Sequence, residues 1–276
     1  MQMYKHLLLL LFIHLHYNVA EKKRETMKTV TFAIQKGGTG KTSVSVSVAG
    51  ELSVLGKRTL LIDADPQGNA SGWIHPDVEY ELADVLMGKI GLKQAISNTH
   101  MENLFILPTA GIGGALRDFS QTATGDQIFA VRNILDDAEK LGFEYTVIDT
   151  SPAFNLLEKM CLVASDEVVA VLQLDIFSTD GLVTFSDSLS KLKKNMRTEK
   201  PLFNKLVLNS KDARIQQQEQ LLSQFSVSKE FGLFLLPVDQ AFKKAQAAQV
   251  TVQELYGTKP VTLSAIRRLA EEILKD

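Results

Sequence analysis

Residues Lys36-Gly37-Gly38-Thr39-Gly40-Lys41-Thr42-Ser43 lie between a β-branched apolar run, 29–34, and a stretch with helical spacing, 42–55. A glycine-rich turn in that setting constrains this chain more than any other feature. Its glycines let backbone N–H groups close round an anion without side-chain obstruction. The helix that follows presents the positive end of its dipole to the same place. Lys41 can reach the β- and γ-phosphates of a nucleotide, and the Thr42 hydroxyl can ligate Mg²⁺. A bare Gly-rich turn would lack the flanking strand and helix that confirm such a motif.

The rest of the chain supplies a matching scaffold. Short apolar runs at 59–62, 104–107, 145–148, 167–172, 206–208 and 233–236 read as strands. Stretches at about 127–141, 154–164, 180–194, 215–225 and 262–275 read as helices. Continuous apolar strands separated by amphipathic helices predict an α/β domain, a mostly parallel sheet with helices on both faces. Ligands in such folds bind beyond the carboxyl ends of the strands. The loops after Ile34, Ile62, Ile148, Leu208 and Leu236 are therefore the candidate site. No repeat or long linker divides 27–276, so one P-loop NTPase domain is expected there.

Composition excludes several alternatives. Formal net charge is −2, so nucleic-acid contact would need a local basic patch. One cysteine, Cys161, cannot make an internal disulfide or a zinc site. The five histidines do not cluster into a ligand set. Residues 7–13 form an apolar run behind Lys5, superficially like a signal peptide. That run is far short of the ~20 residues that span a bilayer, and Asn18-Val19-Ala20 is a poor cleavage site. Residues 1–26 are expected to lie upstream of the true start at Met27, or to be a disordered extension. A cytoplasmic location follows from the need for ATP.

The loop departs from the full P-loop pattern, which places glycine where Gln35 stands, and it carries a second lysine, Lys36. This deviant form resembles the ParA/MinD group of P-loop ATPases. Two more stretches carry the resemblance. Leu60-Leu61-Ile62-Asp63-Ala64-Asp65-Pro66-Gln67-Gly68-Asn69-Ala70-Ser71 follows the second strand, and Val147-Ile148-Asp149-Thr150-Ser151-Pro152 resembles a Walker B strand and switch. Within the group the chain is most similar to ParA/Soj partition ATPases, from about Met27 onward and more weakly after 215.

Asp63 and Asp65, two apart in an extended segment, project to the same side. One of them can support Mg²⁺ or the loop while the other orients water; the resemblance gives water activation to Asp65 and the supporting role to Asp63. Asp149 at a strand end can hold Mg²⁺ through water. The resemblance also implies an ATP-bound homodimer in which Lys36 reaches the partner's phosphates, in the manner of a trans arginine finger. Within one protomer Lys36 has no necessary role. Gly37, Gly38, Thr39, Gly40 and Ser43 complete the ATP cradle, and the loops at Asn209 and at Pro237–Asp239 are expected to flank the adenine. A ParB-like partner that speeds slow hydrolysis is likewise implied.

Between 191 and 214 there are eight basic residues and two acidic ones. Lys191, Lys193, Lys194, Arg197, Lys211 and Arg214 are candidates for non-specific contact with double-stranded DNA, joined by Lys243 and Lys244. The family usually carries arginine after the proline matched by Pro237, whereas Val238 stands there. A solvated helix face is the alternative reading of such a run. MinD-like membrane cycling would need a basic amphipathic C-terminal helix, but Glu271, Glu272 and Asp276 mark the last helix as a packing element, and no stable membrane insertion is expected. Iron–sulfur relatives need cluster cysteines that are missing. Placement of a non-DNA protein cargo stays open within the family.

Overall fold

The protein is described by a computed structural model covering residues 26–275, apart from 76, 176, 177, 213, 214, 228–230 and 258. The expectation for 1–26 therefore falls, but for Thr26, outside the described residues, as does Arg214.

Eight strands form one sheet in the order β3-β4-β2-β5-β1-β6-β7-β8. They are β1 (Lys28–Ala33), β2 (Thr59–Ala64), β3 (Ser97–Asn98), β4 (Leu104–Leu107), β5 (Tyr145–Thr150), β6 (Glu167–Gln173), β7 (Leu202–Lys211) and β8 (Gly232–Pro237). All pairings are parallel except β3 with β4. The central strands are buried on both faces, which is why they read as unbroken apolar runs rather than alternating ones. The mostly parallel P-loop NTPase fold read from the sequence is the fold observed.

The helices are α1 (Lys41–Val54), α2 (Asn69–Ile74), α3 (Leu82–Leu86), α4 (Leu92–Ala95), α5 (Leu116–Thr122), α6 (Ala130–Lys140), α7 (Leu156–Ala164), α8 (Ser178–Met196), α9 (Gln216–Val227), α10 (Ala241–Ala247), α11 (Val252–Tyr256) and α12 (Val261–Lys275). One core lies between α1, α12 and one face of the sheet, through Val44, Val48, Leu52, Ile266, Leu269 and Ile273. A second core packs α6 and α7 on the other face, through Ile134, Leu135, Leu157 and Met160. A third lies under α8, around Phe185 and Leu189. The switch in strand order around β1 opens a crevice beyond the strand ends, where α1 begins.

Two sequence expectations need correction. The strand expected at 206–208 runs over ten residues, because its amino-terminal part alternates exposed and half-buried side chains and lacks an apolar run. The helix expected over 127–141 starts at Ala130, behind a 3₁₀ turn at Gly125–Gln127.

Candidate functional site

The turn between β1 and α1 encloses a cavity of about 370 Å³, lined by Gly37 through Ser43 together with Asp65, Gln67, Asn69, Trp73, Pro152 and Gln246. Gly40 caps α1 at φ 95°, in the left-handed region. A Cβ there would sit 2.3 Å from Asn209 Nδ2, so sterics and backbone conformation both demand glycine. The first turn of α1 holds no acidic side chain, which leaves its dipole available to an anion.

Lys41 is 6% exposed, and its ammonium donates to the Lys36 carbonyl oxygen at 3.1 Å. Burial pulls its pKa below the usual lysine value, opposed by Asp149, Glu158 and Asp65. This is a charge held out of water with a single backbone acceptor, positioned for polyanion capture.

Asp63 and Asp149 stand opposite each other on β2 and β5. Both are fully buried, and burial raises both carboxyl pKa values. Their surroundings differ. Asp149 Oδ2 accepts from the Thr42 hydroxyl at 2.7 Å, while Oδ1 is buried without a partner. A buried carboxylate with one unpartnered oxygen, joined through the other to the Thr42 hydroxyl that lines the cavity, fits a Mg²⁺ that takes most of its ligands from water and substrate. Asp63 accepts from Ser71 N–H at 2.8 Å, from Ser71 Oγ at 2.7 Å and from Asp65 N–H at 3.2 Å. Its oxygens are thus committed to the loop that carries Asp65. Of the two supporting roles open to Asp63, toward Mg²⁺ or toward the loop, these bonds favour the loop.

Asp65 lines the cavity at 7% exposure, and its Oδ1 accepts from Gln67 N–H at 2.9 Å. Gly68, also at positive φ, lies so close to the 109–111 segment that a Cβ would meet Gly111 Cα at 2.7 Å. The Asp65 turn is therefore braced against the loop that follows β4.

Lys36, for which no necessary role is expected within one protomer, is paired there with Asp175. Its Nζ donates to both oxygens of Asp175, at 2.8 and 2.5 Å, just past β6. Asn209 was expected beside the adenine. Its amide donates to Thr39 O at 2.9 Å and its oxygen accepts from Ser210 N–H at 2.8 Å. Asp239 also spends its carboxylate internally, on Ala241 N–H at 2.8 Å and on the Thr262 hydroxyl at 2.5 Å. Pro237 closes β8.

The basic run of 191–211 separates in space. Lys191, Lys193, Lys194 and Arg197 lie at the end of α8, which crosses back to the amino end of β7. Lys211, Lys243 and Lys244 lie at the carboxyl end, on the side of the cavity. Lys205 is buried in an ion pair with Glu167. Lys200 pairs with Asp166 and Lys211 with Glu219. Sequence proximity had joined charges that the crossover sends to opposite ends of the sheet.

Sequence reasoning missed Glu158, Gln173, Asp175 and Trp73. Glu158, on the first turn of α7, is 2% exposed with neither carboxyl oxygen hydrogen-bonded. Burial pushes its pKa up to about 9, against the pull of Lys41. Trp73 lines the cavity and donates from Nε1 to Val250 O at 2.7 Å, tying α2 to the α10–α11 turn. Among the described residues no group of three or more His, Cys, Asp and Glu could hold a metal by itself, and no helix is long and apolar enough to cross a membrane.

Comparison with known proteins places this geometry in context. A family described as an AAA domain matches residues 27–202. The chain is 30% identical to the sporulation initiation inhibitor protein Soj of Bacillus subtilis, over 90% of this chain and 96% of Soj. It is 29% identical to the chromosome partitioning protein ParA of Caulobacter vibrioides, over 90% of this chain and 94% of ParA. In fold it resembles the ATP complex of a McdA variant from Cyanothece, with a TM-score of 0.78 at 18% identity, covering 91% of this chain and 97% of that one.

Proposed function

The chain belongs to the ParA/Soj family of AAA-domain partition ATPases, and from that premise we propose that it is an ATP-driven partitioning switch that dimerises on ATP and binds DNA without sequence preference. The observation that carries this reading is the convergence of the Gly37–Thr42 cradle, Lys41 and Asp65 on one cavity, with the buried Asp149 joined to it through the Thr42 hydroxyl.

The cradle N–H groups and the α1 dipole hold the phosphates, and Lys41 exchanges the Lys36 carbonyl for phosphate oxygens. Thr42 and Asp149 would hold Mg²⁺, which when bound neutralises charge on the transferring phosphoryl group. Asp65 orients the attacking water, with Asp63 and Ser71 fixing its loop. Lys36 leaves Asp175 to meet the partner's phosphates, adding positive charge where transition-state charge accumulates. A ParB-like protein would raise a slow basal rate by completing this arrangement.

The test is calorimetry with Lys41→Ala, which should abolish measurable ATP binding. Unchanged affinity would overturn the assignment. Asp65→Ala should retain ATP and accumulate the dimer, since hydrolysis fails while binding survives. Light scattering that finds this variant monomeric with ATP, while wild type dimerises, would contradict the role of Asp65.

A further inference from the structure

The phosphate loop is held from behind by two side-chain amides. Gln173 and Asn209 are register partners at the carboxyl ends of the parallel strands β6 and β7. Gln173 Nε2 donates to Gly38 O at 2.9 Å, and Asn209 Nδ2 donates to Thr39 O at 2.9 Å. Two neighbouring strand ends thus grip two successive carbonyls of one loop.

Local backbone geometry aims the second amide. The β7–β8 register shifts between Leu208 and Lys211, and Ser210 sits at φ 60°, in the left-handed region. An irregularity of this kind re-aims a side chain, and a non-glycine residue there is held by its surroundings. Ser210 N–H in turn donates to Asn209 Oδ1 at 2.8 Å, fixing which end of the carboxamide faces the loop. The missing Cβ at Gly40 makes room for that amide.

The consequence follows from peptide planarity. In a trans peptide the C=O and the next N–H point in opposite directions. Holding Gly38 O and Thr39 O against the strand ends turns the N–H groups of Thr39 and Gly40 toward the cavity. We propose that Gln173 and Asn209 form an amide clamp that presets the phosphate-binding N–H groups, which makes Asn209 a positioning residue for the phosphates and not a reader of the base. This deepens the nucleotide-site reading and rests on it.

The two roles separate on a ligand that has phosphates and no base. Calorimetry would compare Mg²⁺-ATP with Mg²⁺-tripolyphosphate on the full chain, for wild type, Asn209→Ala, Gln173→Ala and the double variant. The clamp requires each single change to weaken both ligands alike, by about threefold to tenfold for one lost hydrogen bond, with the ratio of the two affinities preserved. The amide resonances of Thr39 and Gly40 should also move in each variant before any ligand is added. The Gln173 bond is solvent-exposed, so that variant tests the clamp even where Asn209→Ala disturbs folding. Loss of ATP affinity with tripolyphosphate binding intact makes Asn209 a base contact and overturns the clamp. Unchanged affinity for both ligands overturns it as well. If wild type binds neither ligand, the nucleotide-site reading itself falls, an outcome distinct from failure of the clamp alone.

Discussion

Glu158 holds an acid behind Lys41 without a donor to stabilise its charge. The neighbouring Thr150 hydroxyl gives its proton to Phe32 O at 2.8 Å, so toward Glu158 it offers a lone pair, which suits a neutral acid. With its pKa near 9 in the fold and about 4.3 when unfolded, the folded protein keeps a proton that the unfolded chain releases between those values. Stability must therefore fall as pH rises through that window, being fully present only below the unfolded value. Glu158→Gln should remove the slope, so that in urea unfolding its advantage over wild type grows from about pH 5 to about pH 8, by up to about 1.4 kcal/mol per unit. Parallel stability curves would count against a neutral Glu158. A second prediction concerns the Lys36–Asp175 pair, whose side chains are 26% and 36% exposed. Such a pair is worth up to about 1 kcal/mol, and it competes with use of Lys36 across a dimer. Asp175→Asn should thus tighten the ATP-bound dimer by up to about thirtyfold in sedimentation, about fivefold for each of the two pairs released, and a weakened dimer would show that Asp175 supports assembly. Lys41, Asp65 and Asp149 were legible because each sits in a contiguous motif at a strand end. Asp175 and Glu158 were not, since their meaning depends on partners far away in sequence, Lys36 at 139 residues for Asp175 and Lys41 for Glu158.

At the scale of elements, the central strands could be read because burial on both faces leaves an unbroken apolar signature. Short pieces gave no such signal. The helices α3 and α4 span five and four residues, and β3 only two, so neither the helical nor the strand period completes enough repeats to register. The helix α1 poses a different problem, because every residue from Val44 to Ser53 is buried, Glu51 and three serines included. Its outer face lies against α11 and α12, where Gln253 Nε2 donates to Ser47 O at 2.8 Å and Arg267 Nε donates to Glu51 Oε1 at 2.6 Å. Glu51 is 2% exposed. These bonds fix the helix that carries Lys41 and Thr42 at its start. Glu51→Ala leaves Gln253 and Arg267 short of an acceptor, and about 2 kcal/mol of stability should be lost, below the range for a fully buried pair because the Arg267 side chain is 37% exposed. Equilibrium denaturation would measure it. A loss within error would mean that α12 packs on α1 through its apolar face alone.

For the molecule as a whole, the separation of the basic residues decides where a polyanion could bind. Lys243 and Lys244 are exposed on α10, the helix whose Gln246 lines the nucleotide cavity. They lie at the end of the sheet where ATP would assemble two protomers, whereas Lys191, Lys193, Lys194 and Arg197 occupy the other end. A monomer offers few phosphate contacts on either surface. Joining two protomers doubles the contacts and links them, which raises avidity without new chemistry. On the proposed function, ATP would then be the switch for DNA association. With about four phosphate contacts the log–log salt slope should be near −3.6, or roughly two decades of affinity between 50 and 200 mM salt. The measurement is a mobility-shift salt series with ATP and the Asp65→Ala protein, which should hold the dimer. Because Lys243 and Lys244 share an end with the nucleotide, replacing both with glutamine should flatten the slope more than replacing Lys193 and Lys194, with ATP hydrolysis retained in either case. The reverse order would move the DNA surface to the α8 end and uncouple it from the nucleotide cavity. A trapped dimer that binds no DNA even at about 50 mM salt would remove DNA partitioning. Placement of a protein cargo by the same ATP-driven dimer would then take its place.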